Sequence, residues 1–146
     1  MAKSVRLDVG AKWATLWLDR GPEHLLTIGM MEEINEALHS LRDGDGPDVL
    51  VVRGADGNFC EGWDLKEHGQ RRVQRMLQVY ARIFETLRMM DVISVAAVEG
   101  RAWGAGFELA LGCNLIVAAD NSSFALSHVS QGLIPPVAAA ILPRIA

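Results

Sequence analysis

Two glycine-bearing segments, residues 59–65 and residues 103–108, hold the residue types that could do chemistry in this sequence. Each lies between an apolar run and a helix-like segment. Each could present a backbone N–H, because the first N–H groups of a helix have no partner within it. Two such groups aimed at one point would stabilise an oxyanion as it develops. Glu108, in the first turn of the second helix, could move a proton on the same ligand.

Each segment also has a purely structural interpretation. Gly104 and Gly106 leave the backbone open to the close approach of a ligand, but they could equally be packing glycines beside a charge at a helix terminus. In the first segment, Trp63 would present its N–H next to the cap residue Asp64, or it would be a core residue beside a simple cap. The second segment lacks the third glycine of a dinucleotide-binding turn.

The composition of the chain argues against several classes of function. With 146 residues, of which 50% are hydrophobic and 22% charged, the chain is predicted to be globular. A net charge of -4 without a basic stripe argues against a nucleic-acid partner. The longest apolar runs, such as residues 93–98, are too short to span a bilayer, and residues 1–4 show no secretory pattern. We therefore expect a cytoplasmic protein with no membrane partner.

The remaining reactive residue types indicate no further site. Cys60 and Cys113 form no CxxC pair, and we expect two reduced, mostly buried thiols. The absence of an HxxH motif or a Cys/His cluster predicts no metal site. No serine lies in a G-x-S-x-G elbow, which argues against a serine hydrolase. His24, His39 and His68 fall on loop or helix positions and are expected to be structural or solvated.

Strand-like and helix-like segments alternate along the chain. Period-two or continuous apolar patterns predict strands at residues 4–9, 13–18, 49–52, 93–98, 115–118 and 123–126, and the third of these is expected to be buried on both faces. Apolar spacings of three and four predict helices at residues 28–42, from near residue 65 to 87, at 106–111 and after Pro136. Asp64 and Glu67 have capping-box spacing, and residues 44–47 should end the first helix. This alternation predicts an α/β fold with a largely parallel sheet.

The arrangement of these segments resembles a known superfamily. A strand at residues 49–54 precedes residues 58–65, and a strand at residues 95–100 precedes residues 103–110 and then Cys113 to Leu115. This order resembles the crotonase, or enoyl-CoA hydratase/isomerase, superfamily from about Trp13 to the end of the chain. Residues 30–35 and the double proline within residues 132–138 look most like the branch that hydrates cyclic dienoyl-CoA esters.

The resemblance implies a spiral of ββα units, a coenzyme A thioester as substrate with no separate cofactor, and metabolism of fatty or aromatic acids. It implies an oxyanion hole from the N–H groups of Trp63 and Ala105, with Glu108 as a catalytic acid or base. Trp63 stands where relatives often have a smaller residue, so its ring is expected to shape the acyl pocket. Residues 24–27 fall where relatives line the pantetheine and adenine, and the expected substrate-binding residues are Leu25, Leu26, Gly62, Leu65 and Gly104.

The resemblance also bears on the whole protein. Residues 1–146 correspond to the N-terminal core of a crotonase-like domain, without the C-terminal helical region that relatives use for trimer contacts and to cover the ligand. The apolar segment at residues 137–146 would need a partner to bury its face. A homo-oligomer is therefore expected, a trimer or a dimer of trimers.

One departure from the family pattern concerns the second catalytic residue. Typical hydratases carry a second glutamate after a Phe-Gly-x-Pro segment, and His128 stands there in this sequence. Glu108 and His128 could share the activation of water and the protonation of the α-carbon, because neutral imidazole is a competent base near pH 7. The alternatives are an isomerase that uses Glu108 alone, a hydrolase of carbon–carbon bonds, a histidine that only hydrogen-bonds in the core, and a non-catalytic coenzyme A-binding or assembly module.

Overall fold

The computed structural model describes residues 3–42 and 45–146, and the predictions that involve residues 1 and 2 and Gly44 lie outside this part. The elements follow in chain order: β1 (Val5–Val9), β2 (Trp13–Leu18), α1 (Ile28–Arg42), β3 (Val49–Gly54), α2 (Val73–Met89), β4 (Ile93–Val98), β5 (Arg101–Trp103), α3 (Ala105–Leu111), β6 (Leu115–Ala118), β7 (Ser123–Ala125) and α4 (Ala138–Ile145), with 3₁₀ turns at Leu65–Glu67 and Ser127–Gln131. No helix in the described residues is both long enough and apolar enough to cross a membrane.

The main sheet has five strands in the order β1-β2-β3-β4-β6. Strands β1 and β2 pair antiparallel, and the other neighbours pair parallel. A second, two-stranded parallel sheet joins β5 to β7. The predicted α/β fold with a largely parallel sheet is confirmed.

The core lies between the sheet and the helices α1 and α2. Inward side chains of β2, β3 and β4 join the apolar stripes of both helices in one cluster. In β3, Leu50 and Val52 are buried, whereas Val49 and Val51 are only half-buried. The prediction that this strand is buried on both faces is therefore wrong, because its alternation leaves one face partly open.

The capping box predicted from Asp64 and Glu67 does not form. The carboxylate of Asp64 accepts a hydrogen bond from the Lys66 N–H at 3.2 Å, and only a 3₁₀ turn follows. The carboxylate of Glu67 instead accepts a hydrogen bond of 2.5 Å from the N–H of Ile28, the first residue of α1. The next helix, α2, begins at Val73 rather than near residue 65.

Of the two short strands β5 and β7, only β7 is predicted from the sequence. The sequence predicts a strand at residues 123–126 but none at residues 101–103, of which only Trp103 belongs to the second glycine-bearing segment. The N–H of Gly104 donates to the carbonyl of Ala125 at 2.7 Å, directly after this pairing. The second sheet thus fixes the point at which the chain turns from Trp103 into α3.

Candidate active site

The two glycine-bearing segments are neighbours in space. Gly62 and Gly104 have φ angles of 117° and 54°, which favour glycine. A Cβ atom built on Gly62 would lie 3.7 Å from the nitrogen of Ala105. A Cβ atom on Gly106 would lie 2.1 Å from the carbonyl oxygen of Cys60, so the start of α3 sits directly on the backbone of the first segment. The structure therefore brings together the segments that the sequence singled out.

The backbone N–H groups of Trp63 and Ala105 take no part in the hydrogen bonds of the described residues. Trp63 forms a bridge with Leu26, in which the N–H groups of Leu26 and Asp64 donate to the carbonyls of Gly62 and Leu26 at 2.8 and 2.9 Å. Because N–H groups alternate along an extended chain, the N–H of Trp63 points away from that partner. Ala105 is the first residue of α3. Neither N–H has an acceptor in residues 3–42 and 45–146.

Glu108 is fully buried, and its carboxylate has several polar neighbours. Oε1 accepts hydrogen bonds from the N–H groups of Val137 and Ala138, at 2.8 and 2.7 Å, where α4 begins. Oε2 accepts a hydrogen bond of 2.6 Å from the hydroxyl of Tyr80. The Nε2 atom of His128 lies 3.6 Å from the same oxygen. The side chain therefore points into the protein, although Glu108 does lie in the first turn of α3, as a charge at a helix terminus would.

Tyr80 is a member of this site that sequence reasoning missed. It was read only as part of the apolar stripe of α2. Burial raises the pKa of Tyr80 well above its usual value, and the negative charge of Glu108 adds to this rise. The hydroxyl therefore stays protonated and acts as a donor. The spacing of α2 could have flagged it, since a tyrosine buried on an apolar stripe needs a partner for its hydroxyl.

The indole ring of Trp63 lies among three other rings. Its centroid is 5.2 Å from those of His68 and His128 and 5.0 Å from that of Tyr80. Tyr80 and His128 meet the indole in edge-on arrangements. The Trp63 side chain is therefore packed against Tyr80 and His128, the two neighbours of Glu108, and its expected role in shaping the acyl pocket stays a prediction.

His128 is buried, with only 2% of its side chain exposed. Burial lowers the pKa of His128 below 6.5, nearby His68 lowers it further, and the carboxylate of Glu108 opposes the shift. The net shift of the His128 pKa is downward, because a protonated imidazole here would have lost its water and would face only one carboxylate. Neutral imidazole has one donor and one acceptor nitrogen, which suits it to take a proton.

Among the other histidines, His24 and His39 fit the expectation of a structural or solvated residue, and His68 does not. His24 is buried in its loop, where Nδ1 accepts the N–H of Arg20 at 3.0 Å, so its structural role is confirmed. His39 is exposed on α1. Both ring nitrogens of His68 are buried and have no hydrogen-bond partner in the described residues. The imidazole is therefore neither exposed to solvent at its nitrogens nor held by hydrogen bonds within the protein. Cys60 and Cys113 are free thiols, and burial raises the pKa of each to about 12.

The remaining predicted substrate-binding residues lie around the first segment. Leu26 is buried in the core beneath Trp63, and Leu25 is half-buried. Leu65 is exposed at the start of its 3₁₀ turn. Their contact with a substrate stays a prediction. Within the described ranges, no three side chains of histidine, cysteine, aspartate or glutamate lie close enough to hold a metal ion.

Comparison with known proteins defines the class that this fold and site represent. The sequence matches the profile of the family Enoyl-CoA hydratase/isomerase over residues 14–146. The structure superposes with a TM-score of 0.91 on Pseudomonas aeruginosa DspI, at 25% identity, covering 97% of this chain and 60% of that one. An enoyl-CoA hydratase/isomerase family protein from Silicibacter pomeroyi gives a TM-score of 0.89 at 30% identity, covering 97% of this chain and 61% of that chain. The chain belongs to the enoyl-CoA hydratase/isomerase, or crotonase, family.

Curated relatives carry a more specific name. The carnitinyl-CoA dehydratase of Escherichia coli (strain K12) is 32% identical over 150 residues, which cover 99% of this chain and 57% of that protein. The carnitinyl-CoA dehydratase of Proteus mirabilis (strain HI4320) is 30% identical over 139 residues, covering 92% of this chain and 53% of that protein. The chain thus spans about half the length of the curated relatives it matches.

Proposed function

We propose that this protein acts on acyl-CoA thioesters as a hydratase or isomerase that passes through an enolate. The observation that carries the proposal is the approach of His128 to the buried carboxylate of Glu108, at 3.6 Å, beside two adjacent turns with available N–H groups. Relatives named carnitinyl-CoA dehydratase support a reaction that adds or removes water. A Thermobifida fusca protein of the same fold, solved in complex with acetoacetyl-CoA, supports a coenzyme A thioester as ligand.

In the hydratase form, the thioester oxygen accepts hydrogen bonds from the N–H groups of Trp63 and Ala105. Neutral His128 takes a proton from water while the water oxygen bonds to the β-carbon. The electron pair of the double bond moves toward the thioester, where the two N–H groups stabilise the enolate. The proton then passes through the pair formed by His128 and Glu108 to the α-carbon. The net change is addition of one water molecule, so no further reactant is needed.

A substrate panel tests this activity. The panel contains carnitinyl-CoA, a linear enoyl-CoA and a cyclic dienoyl-CoA, and the absorbance of the conjugated thioester is followed. We expect turnover of at least one member. The preference for a cyclic dienoyl-CoA predicted from the sequence is one arm of this panel, and the relatives reported above favour carnitinyl-CoA instead. A folded protein that turns over no member contradicts the proposal.

The role of Glu108 is tested by Glu108→Gln. This variant removes the charge but keeps the volume, so the rate should fall by about 10²–10⁴-fold. Glu85→Gln is the matched control, because Glu85 is exposed on α2, the helix that carries Tyr80. Equal rates for both variants would show that Glu108 moves no proton.

His128→Ala separates hydration from isomerisation. Hydration by two residues requires His128, whereas an isomerase shuttles one proton through Glu108 alone. Full activity in His128→Ala rules out the two-residue mechanism, and deuterium exchange at the α-carbon without water addition identifies the isomerase. Release of a free carboxylic acid from a diketone substrate would identify the carbon–carbon hydrolase.

A non-catalytic coenzyme A-binding module is the second candidate. One observation favours it: Oε1 of Glu108 already accepts two backbone N–H groups from the start of α4, as a purely structural carboxylate would. Calorimetric binding of an acyl-CoA, without turnover of any panel member, would identify this function. The expected homo-oligomer, as a trimer or dimer of trimers, also remains a proposal.

A further inference from the structure

The rings around Trp63 concentrate buried nitrogen atoms that have no hydrogen-bond partner. Among the described residues, seven buried side-chain nitrogen or oxygen atoms lack a partner, and five of them belong to Trp63, His68 and His128. They are Nε1 of the indole and both nitrogens of each imidazole. Native proteins leave few such atoms unpaired, and a cluster of them needs an explanation.

In the proposed function the N–H of Trp63 holds the thioester oxygen, which places this cluster, formed by Trp63, His68 and His128, beside the acyl group. Trp63 supplies both the backbone N–H expected to hold the thioester oxygen and an indole ring whose centroid lies 5.2 Å from that of each imidazole. His128 and Glu108 are already assigned to the reacting carbons. The nitrogens of His68 and the indole N–H remain free to bind an atom further along the acyl chain of the substrate.

We infer that the Trp63–His68–His128 cluster binds an acyl group with a hydroxyl or oxo substituent beyond the β-carbon. This inference rests on the proposed function and names the substrate class of the same site. The indole N–H is a donor only, and each neutral imidazole offers one donor and one acceptor. Together they can satisfy an oxygen that accepts several hydrogen bonds and, in a hydroxyl, donates one.

The charge of Glu108 disfavours an anionic substituent, and the unpaired nitrogens disfavour an apolar one. The carboxylate of Glu108 lies 3.6 Å from His128, so a second carboxylate on the acyl chain would meet a like charge in a buried place. A purely apolar acyl chain would leave the indole N–H and the two nitrogens of His68 without partners. A neutral hydroxyl or oxo oxygen brings no like charge and can accept hydrogen bonds from the donors among them.

A matched pair of substrates tests the inference. We expect kcat/KM for 4-hydroxybut-2-enoyl-CoA to exceed that for but-2-enoyl-CoA by at least about tenfold. His68→Phe keeps a ring against Trp63 but removes both nitrogens, and it should abolish the preference, measured as the ratio of kcat/KM for the two substrates in the same variant, so that a change in the basal rate common to both substrates cancels. His68→Gln, which retains a donor and an acceptor, should restore part of the preference. His39→Phe is the control, because His39 is exposed on α1.

The outcomes distinguish this inference from the proposed function. Equal kcat/KM for the two substrates, or a preference that survives His68→Phe, overturns the inference and leaves the hydratase proposal standing. If neither substrate is turned over, calorimetry with 4-hydroxybutyryl-CoA and butyryl-CoA decides, since binding needs no chemistry. Tighter binding of the hydroxyl compound that is lost in His68→Phe supports the inference even then. Equal binding, or none, overturns it.

Discussion

At the scale of single residues, the carboxylate of Glu108 is held from several directions. Two backbone N–H groups bind Oε1, and the hydroxyl of Tyr80 binds Oε2 next to His128. Such a set of donors fixes the orientation of the carboxylate as well as satisfying its charge. Tyr80 acts here as a positioning residue, because it contacts Glu108 rather than the expected reacting atoms.

Tyr80→Phe should therefore impair catalysis more than substrate binding. The ring still packs against Trp63 and Phe84, but Oε2 of Glu108 loses its donor. We expect kcat to fall by about tenfold with little change in KM, and the free energy of unfolding to fall by about 2 kcal/mol. Steady-state kinetics and urea unfolding measure the two quantities.

A double-mutant cycle with Glu108→Gln provides the control for Tyr80→Phe. If the hydroxyl acts through the carboxylate, the losses of the two variants should not add. Additive losses would show that Tyr80 contributes independently of Glu108.

The lowered pKa of His128 predicts a pH dependence of stability. The unfolded chain takes up a proton on this histidine near pH 6.5, whereas the folded protein does so only at lower pH. Between these values the unfolded state binds more protons, so the free energy of unfolding rises with pH. The contribution of His128 to stability is therefore complete above pH 6.5 and decreases as the pH falls below it. Urea unfolding at pH values on either side of 6.5 measures the slope.

The variant His128→Asn removes this titration and should flatten the slope. His39→Asn, at an exposed position, should leave it unchanged. A slope that is the same in His128→Asn and the unsubstituted protein contradicts the shift.

The sequence predicted much of this site and missed a specific part of it. Glu108, Trp63 and Ala105 lie in glycine turns whose local pattern is visible along the chain. Tyr80 lies 28 residues before Glu108, and nothing in the apolar stripe of α2 reveals which group receives its hydroxyl. A hydrogen bond between distant residues depends on the packed fold, which local spacing does not encode.

At the scale of elements, the site depends on how closely α3 approaches the first glycine segment. A Cβ atom at Gly106 would lie within 2.1 Å of the Cys60 carbonyl oxygen, which belongs to the backbone and cannot turn aside. The backbone N–H of Cys60 in turn donates to Arg101 in β5, at 2.9 Å. The two segments and β5 are thus locked together at backbone level.

Gly106→Ala should separate these elements. We expect a loss of about 3 kcal/mol in the free energy of unfolding, because the added methyl group overfills a closed contact. Gly69→Ala is the matched control: a Cβ atom there meets nothing within 4 Å, so stability should stay equal or rise slightly. Chemical denaturation of both variants measures the difference. Equal stabilities would show that α3 can move away from Cys60 at no cost.

Most elements could be predicted from the sequence because their signals are local. The helix α1 has the predicted bounds, and its buried residues are those of the apolar spacing. Glu67 has the spacing of a capping box with Asp64, yet it caps α1 instead, 39 residues away. The strand β5 has three residues, too few for a periodic pattern, and it forms by pairing with β7 and by a bridge to Cys60, contacts that a local pattern does not show.

At the scale of the whole molecule, one end of the main sheet carries exposed apolar side chains. Leu115, Ile116 and Val117 of the edge strand β6 are all exposed, Val117 by 60%. Ile145 in α4 is also exposed. An edge strand of this kind, with apolar side chains on both faces, is typical of a surface that associates.

Association through β6 can be measured directly. Sedimentation velocity should find a species larger than the 15.9 kDa monomer, in line with the expected homo-oligomer. Val117→Lys should shift it toward the monomer, because a buried lysine would lose its water. Lys66→Ala, at an exposed position on the 3₁₀ turn after Asp64, is the control. A monomer at all concentrations in the unsubstituted protein would contradict the expectation.

The hydrogen bonds from Val137 and Ala138 to Glu108 have a consequence for the start of α4. Both amides donate to the same oxygen of Glu108. The charged carboxylate therefore stabilises the first turn of α4 by the same free energy by which that turn stabilises the charged carboxylate. Neutralising the carboxylate weakens its power to accept, so these two amides should then exchange their hydrogens with solvent faster. Hydrogen exchange at the first turn of α4 should therefore report the charge on Glu108 in the protein without substrate.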